Sequence, residues 1–272
     1  MRVDSHAHVW PPGALSAGEP SIAAAGSVES LVSAMLGAGV DAAVLVQPFA
    51  SGLDHSYLLQ SVRSERLNAV GIAQVDPHDA SSIEVIADVV RDADIVGFRL
   101  PLIRTDATWL GRNGESFWAL AAAQDVSVSL LASPGHFEQV ALMAAAYPSV
   151  PVVIDHLGRF DLSDDPVSSV DRLCDLAALP NVYAKASALS SLGRGIWPYR
   201  DVWPYLTKVI DAFGTDRMMW GSDYPFVLAQ RPYADSPLAV EKALEQRQEP
   251  EAEAILGRNA FRLFFRGREV VA

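Results

Sequence analysis

Residues 151–158 read Pro-Val-Val-Ile-Asp-His-Leu-Gly, a short β-branched run that stops abruptly at an acid and an imidazole. An almost continuously apolar run of this length marks a parallel strand covered on both faces. Seven runs of the same kind flank it: Arg2–Val9, Asp41–Pro48, Asn68–Asp76, Ile95–Leu102, Val126–Ser133, Asn181–Ala188 and Arg217–Pro225. With Pro151–Gly158 they make eight, beginning at intervals of roughly 30 residues, the length of one strand–helix unit. The stretches between them carry helical periodicity. Ser27–Leu36, with Ser27 as N-cap and Gly37 and Gly39 as stops, is one example, and Ile83–Arg91 is another. Eight such units without a Gly/Ser-rich linker predict a single (β/α)8 TIM barrel spanning residues 1–272, with an open α/β sheet as the alternative. The segment Glu251–Phe265, just after Pro250, predicts a terminal helix with an apolar face.

Composition narrows the function classes. Of 272 residues, 33 are Asp or Glu and 21 are Lys or Arg, a formal net charge of −12, which excludes a basic nucleic-acid-binding face. Hydrophobic residues make up 50% of the chain, enough for a large buried core. The lone cysteine, Cys174, gives no disulfide framework, and the opening MRVDSHAHVW lacks the apolar run of a secretion signal. The uncharged stretch Val140–Ile154 is interrupted by Pro148 and Pro151 and falls short of the roughly 18 residues a membrane span needs. A soluble cytoplasmic protein, with no membrane partner, is the expectation.

In a barrel of this kind, reactive groups gather at the C-terminal ends of the strands. Asp4, His6 and His8 alternate along the first run, so period-two geometry directs all three to one side, where two imidazoles can share a divalent ion. His156 ends the sixth run, either as a packed core residue or at the same mouth. Asp223, in Trp220-Gly221-Ser222-Asp223-Tyr224-Pro225, suits a general base or a cap for the next helix. Arg99 ends the fourth run, as half of a structural ion pair or as a clamp on a substrate carboxylate or oxyanion, with Arg104 a few residues on. Lys185 has three readings: a pair with Asp155, a substrate contact, or an extension to solvent. His55, His78 and His136 fall in loops or helix starts and read as surface residues, with His136 best placed to reach the mouth.

Asp4-Ser5-His6-Ala7-His8, Asp155-His156-Leu157-Gly158 and Trp220-Gly221-Ser222-Asp223-Tyr224-Pro225, in this order at strand ends, together resemble the amidohydrolase-related family. Smaller echoes at Val46-Gln47-Pro48, Gly97-Phe98-Arg99 and Asn181-Val182-Tyr183-Ala184-Lys185 extend the resemblance over nearly the whole chain, and the pattern is most similar to the lactonase-like branch. The resemblance implies a distorted (β/α)8 barrel in which His6, His8, His156 and Asp223 are the metal ligands. It implies at most one divalent ion, zinc or manganese, because neither Ile95–Leu102 nor Val126–Ser133 holds the lysine or glutamate of dinuclear relatives. Some relatives in this branch work without metal, and both modes stay open.

The activity implied is hydrolysis of a small lactone, derived from a sugar or from a dicarboxylate such as 2-pyrone-4,6-dicarboxylate. Asp223 is then the general base, with His156 and Arg99 also catalytic, and Arg99, Arg104, Lys185 and Tyr224 contact an anionic or sugar-derived substrate. A metal-dependent decarboxylase of a small aromatic or enoic acid is the alternative, and a barrel that binds a small acidic ligand without catalysis is the third reading. Where many relatives carry lysine and proline after the Asp155–Gly158 motif, this chain has Arg159-Phe160, so the following loop, and with it the substrate edge, departs from the family's pattern. Monomer and homodimer are both open.

Overall fold

A computed structural model describes residues 1–13, 20–76, 87–90, 94–104 and 112–267. Each apolar run contains a strand: β1 (Val3–Ala7), β2 (Ala42–Val46), β3 (Ala69–Gln74), β4 (Ile95–Leu100), β5 (Ser127–Leu130), β6 (Val152–Ile154), β7 (Val182–Ser187) and β8 (Met218–Gly221). The strands pair in chain order, each parallel to the next, in one eight-stranded sheet with helices in the connections, which is a (β/α)8 barrel. Parallel neighbours need crossover connections, and the helical segments between runs supply them.

The helix that leads into β2 runs Val28–Ala38. Ser27 caps it, its Oγ accepting the Ser30 amide at 3.2 Å. Gly39, with φ of 64°, ends it in the left-handed conformation, whereas Gly37, expected as a stop, lies inside the helix. Of the expected helix Ile83–Arg91, residues 87–90 are described and are helical. Among the described residues no helix is long and apolar enough to cross a membrane.

Apolar residues form two layers. The larger lies between the strands and the surrounding helices. The smaller fills the lower barrel, where Val3, Val44, Val46, Val70, Ile72, Val153 and Met219 meet Leu263 and Phe264. These last two belong to the C-terminal segment, helical from Glu249 to Phe264 through a π-helical turn at Ala254–Arg258. The apolar face of that segment therefore plugs the N-terminal end of the barrel and leaves the opposite end for chemistry.

Closure between β8 and β1 is irregular. Only one parallel bridge, Ala7 to Tyr224, joins them, together with the bonds from His8 N to Tyr224 O at 2.7 Å and from Asp223 N to His6 O at 2.9 Å. Asp4 supplies the rest. Its fully buried carboxylate accepts the amides of His6 (3.0 Å) and Ser222 (2.9 Å) at Oδ1, and the hydroxyls of Ser222 (2.5 Å) and Tyr233 (2.9 Å) at Oδ2. This corrects the expectation that Asp4, His6 and His8 share one side. The register of β1 against β2 slips between Asp4 and Ala7, so an extra β1 residue breaks the alternation and turns Asp4 into the seam. Gly221 allows the close approach of the two strands, since a Cβ there would lie 2.7 Å from that of His6.

Asp4→Ala would strand two backbone N–H groups and two hydroxyls, so the expected cost is on the order of 4 kcal/mol in urea unfolding. A loss below about 1 kcal/mol would show that the ladder closes the barrel without the carboxylate.

Candidate active site

The β1/β8 seam and the end of β6 bring three histidines and an aspartate to one point. His6 and His8 come from β1 and from just beyond it, His156 from the turn after β6, and Asp223 from the turn after β8. Both turns use unusual backbone. His156, Leu157, Gly158 and Arg159 all have positive φ (53°, 49°, 68° and 49°), as does Asp223 (60°). For a non-glycine residue this costs on the order of 1 kcal/mol, strain that is characteristically stored where a side chain must be aimed. Gly158 suits its place on a second count, because a Cβ would meet the Phe137 ring at 2.4 Å.

The ring nitrogens converge closely. His6 Nε2 lies 3.3 Å from His8 Nε2, and Asp223 Oδ1 lies 3.3 Å from His8 Nε2, 3.9 Å from His6 Nε2 and 4.0 Å from His156 Nε2. The other ring nitrogens are held from behind: His8 Nδ1 by the Val46 carbonyl at 2.6 Å and His156 Nδ1 by Ser187 Oγ at 2.8 Å. A carbonyl only accepts, so His8 carries its hydrogen on Nδ1 and presents a lone pair from Nε2.

Burial pushes His156 down to about 4 and His6 well below the usual imidazole range, so both are neutral at pH 7. Burial pushes the Asp223 carboxyl up, but the positive charge that the facing imidazoles, His156 foremost, take up when protonated outweighs that and holds it well below the carboxylate range. Lone pairs and an anion thus meet in one place. Tetrahedral ligation at about 2.0–2.1 Å sets donor atoms about 3.3 Å apart. His6, His156 and Asp223 offer ligand atoms within 4.8 Å of one another, and His8 closes the group, so these residues fit a divalent cation.

Above this cluster opens a pocket of about 430 Å³. His8, His156 and Asp223 form its floor, while Arg99, Arg159 and Ser191 face Pro48, Phe49, Leu131 and Phe226 around the wall. Arg99 is 4% exposed; its Nη1 donates to Gln47 O at 3.0 Å and its Nε lies 3.8 Å from Asp155 Oδ2. The ion-pair and pocket-facing readings of Arg99 therefore describe one residue.

Two expected substrate contacts lie elsewhere. Lys185 has no exposed surface and sits below the histidines with Nζ 3.1 Å from Asp155 Oδ1, which removes it from the pocket wall. Tyr224 is 1% exposed and its hydroxyl donates to Ala25 O at 2.5 Å, outside the pocket lining. Arg104 ends a short turn, Leu102–Arg104, and its side chain lies outside the described residues, as does His78. His136 turns back to Ser133 Oγ at 2.9 Å. His55, expected at the surface, is 7% exposed and bonds through Nδ1 to Gln47 Oε1 at 2.7 Å. The residues not foreseen are Ser187 and the Val46 carbonyl, which orient rings, and Arg159 as wall. Only Arg159 had a signal, as the cation directly after a glycine motif.

A family model described as Amidohydrolase matches residues 3–266. Among curated proteins, an L-fucono-1,5-lactonase of Burkholderia ambifaria is 29% identical over 241 residues, covering 83% of this chain and 80% of that protein. A 4-sulfomuconolactone hydrolase of Rhizobium radiobacter is 25% identical over 232 residues, covering 82% and 75% respectively. Among solved structures, an amidohydrolase from Burkholderia multivorans with bound zinc superposes with a TM-score of 0.82 at 25% identity, covering 97% of this chain and 99% of that one.

The buried imidazoles set a pH dependence. An unfolded chain takes up a proton on histidine near pH 6.5, whereas folded His156 does so only near 4, so the unfolded state binds more protons between these values. Stability is lost as pH falls through that window. Urea midpoints of metal-free protein are expected to drop from pH 6.5 to 4, and to drop less in His156→Asn; parallel slopes would contradict the assignment.

Proposed function

The chain belongs to the amidohydrolase family, and from that premise we propose that it hydrolyses a small lactone. Water adds to the ring carbonyl, and the ring oxygen leaves as the hydroxyl of the product hydroxy acid. The observation that carries this reading is the meeting of Asp223 with His6, His8 and His156 on the floor of the pocket. The lactone-hydrolysing relatives support the same substrate class.

Asp223 is ionised, keeps 14% of its side chain exposed and borders the pocket, so it is the group placed to take a proton from attacking water. The same carboxyl then returns that proton to the departing ring oxygen. His6, His8, His156 and Asp223 would hold one zinc or manganese ion, which supplies Lewis acidity to the carbonyl oxygen when bound. Arg99, locked between Gln47 O and Asp155, offers fixed N–H groups to the charge that develops as water adds. Arg159, exposed on the wall, gives the pocket a second positive charge and favours an anionic or hydroxyl-rich substrate. Phe49 and Phe226 offer flat apolar surface to the ring.

A lactone panel assayed by pH indicator, with chelated and metal-reloaded protein, tests the proposal. Turnover should release acid without carbon dioxide, fall on chelation, and drop about 10³-fold in Asp223→Asn. Carbon dioxide evolution, or an Asp223→Asn variant as active as wild type, would reject it.

A further inference from the structure

Beneath the pocket floor lies an ion pair that the hydrolytic steps leave unused. Lys185, on β7, and Asp155, at the end of β6, have no exposed surface. Lys185 Nζ lies 3.1 Å from Asp155 Oδ1, and that oxygen lies 3.3 Å from His6 Nδ1, the ring nitrogen turned away from the cluster. The second carboxylate oxygen has Arg99 Nε 3.8 Å away. Below the ammonium, the Phe264 ring from the C-terminal plug stands 5.8 Å off. Taking an ammonium and a carboxylate out of water costs several kcal/mol per ion, and apolar residues of similar volume often serve packing equally well. Packing alone therefore does not account for the pair.

We propose that Lys185 is a positioning residue that acts through Asp155 to fix the hydrogen of His6 on Nδ1, so that Nε2 presents its lone pair to the site. The ammonium at 3.1 Å keeps Asp155 a carboxylate, and a carboxylate only accepts, so the ring nitrogen facing it must be the one that carries hydrogen. Nε2 is then bare. It lies 3.3 Å from His8 Nε2, itself bare because His8 Nδ1 donates to Val46 O. The competing arrangement has Lys185 donating to His6 Nδ1 across 3.3 Å and the hydrogen on Nε2. It would set the Nδ1 lone pair against the Asp155 carboxylate oxygen at 3.3 Å and remove one of the lone pairs from the cluster. Orientation of a ligand by a partner behind it is worth roughly 10- to 100-fold in metal affinity. The inference rests on the site proposed above, though not on its substrate.

Two readouts on the 272-residue chain test it: histidine side-chain ¹⁵N shifts of the metal-free protein, which report the hydrogen-bearing nitrogen, and zinc affinity by chelator competition. Wild type should show Nδ1–H on His6. In Lys185→Met that signature should be lost and zinc affinity should fall roughly 10- to 100-fold, with His8 unchanged. If the single variant does not fold, the double variant Lys185→Met with Asp155→Leu removes both charges of the pair and leaves no acceptor facing His6 Nδ1, and should show the same two losses. Nε2–H on His6 in wild type, or wild-type zinc affinity in either folded variant, would overturn the proposal. Lactone turnover enters neither readout, so the substrate reading can fail while this inference stands.

Discussion

The carboxylate of Asp4 is the contact on which the geometry of this molecule turns. Seven of the strand junctions are parallel ladders, those of β1 with β2 and β3 with β4 each with a register slip, but between β8 and β1 the ladder shrinks to a single bridge, and four donors gathered by one buried side chain take its place. Burial pushes this carboxyl up, while the donors, Ser222 first, pull the other way. The seam is also where the chemistry sits. His6 and His8 belong to one side of it and Asp223 to the other, and their separations of 3.3–3.9 Å exist only because the two strands are drawn together there. A barrel closed by a full ladder would present straight strands. This one uses a slipped register and a positive φ at Asp223 to turn donor atoms inward.

A vertical order inside the barrel follows. The apolar plug around Phe264 excludes water from below, which makes an unpaired charge above it costly. Lys185 and Asp155 therefore occur as a pair, with burial working against both and mutual attraction holding Asp155 well below the carboxylate range. Over them lie neutral imidazoles, and over those the open pocket with Arg99 and Arg159. Each layer limits the chemical state of the next. Excluded water produces pairing, pairing maintains a carboxylate, and the carboxylate orients a ring.

The pocket wall depends on a separate polar knot. Gln47, directly after β2, accepts the Gln74 amide at 2.9 Å and donates to Gly52 O and Asp54 O, while its own carbonyl receives Arg99. The loop carrying Phe49 is tied through this one residue to β3 and β4. The burial of His55 follows from the same knot, since its ring completes the bonding of Gln47 Oε1.

Strand number, strand order and the identity of the polar residues at the strand ends were legible in the sequence, because buried parallel strands must be apolar throughout and an acid or imidazole closing such a run stands out. His6, His8, His156 and Asp223 were visible for that reason alone, and the barrel rule told which end they share. Local pattern could not reveal which way those side chains point. Simple alternation grouped Asp4 with the histidines, and a one-residue slip against β2 sent it to the seam instead. Nor could the sequence choose among the three readings of Lys185, since the choice depends on Asp155 and Phe264, brought beside it from 30 and 79 positions away. Register slips, left-handed turns and buried pairs are settled by contacts between distant segments, and only closure of the barrel creates those contacts.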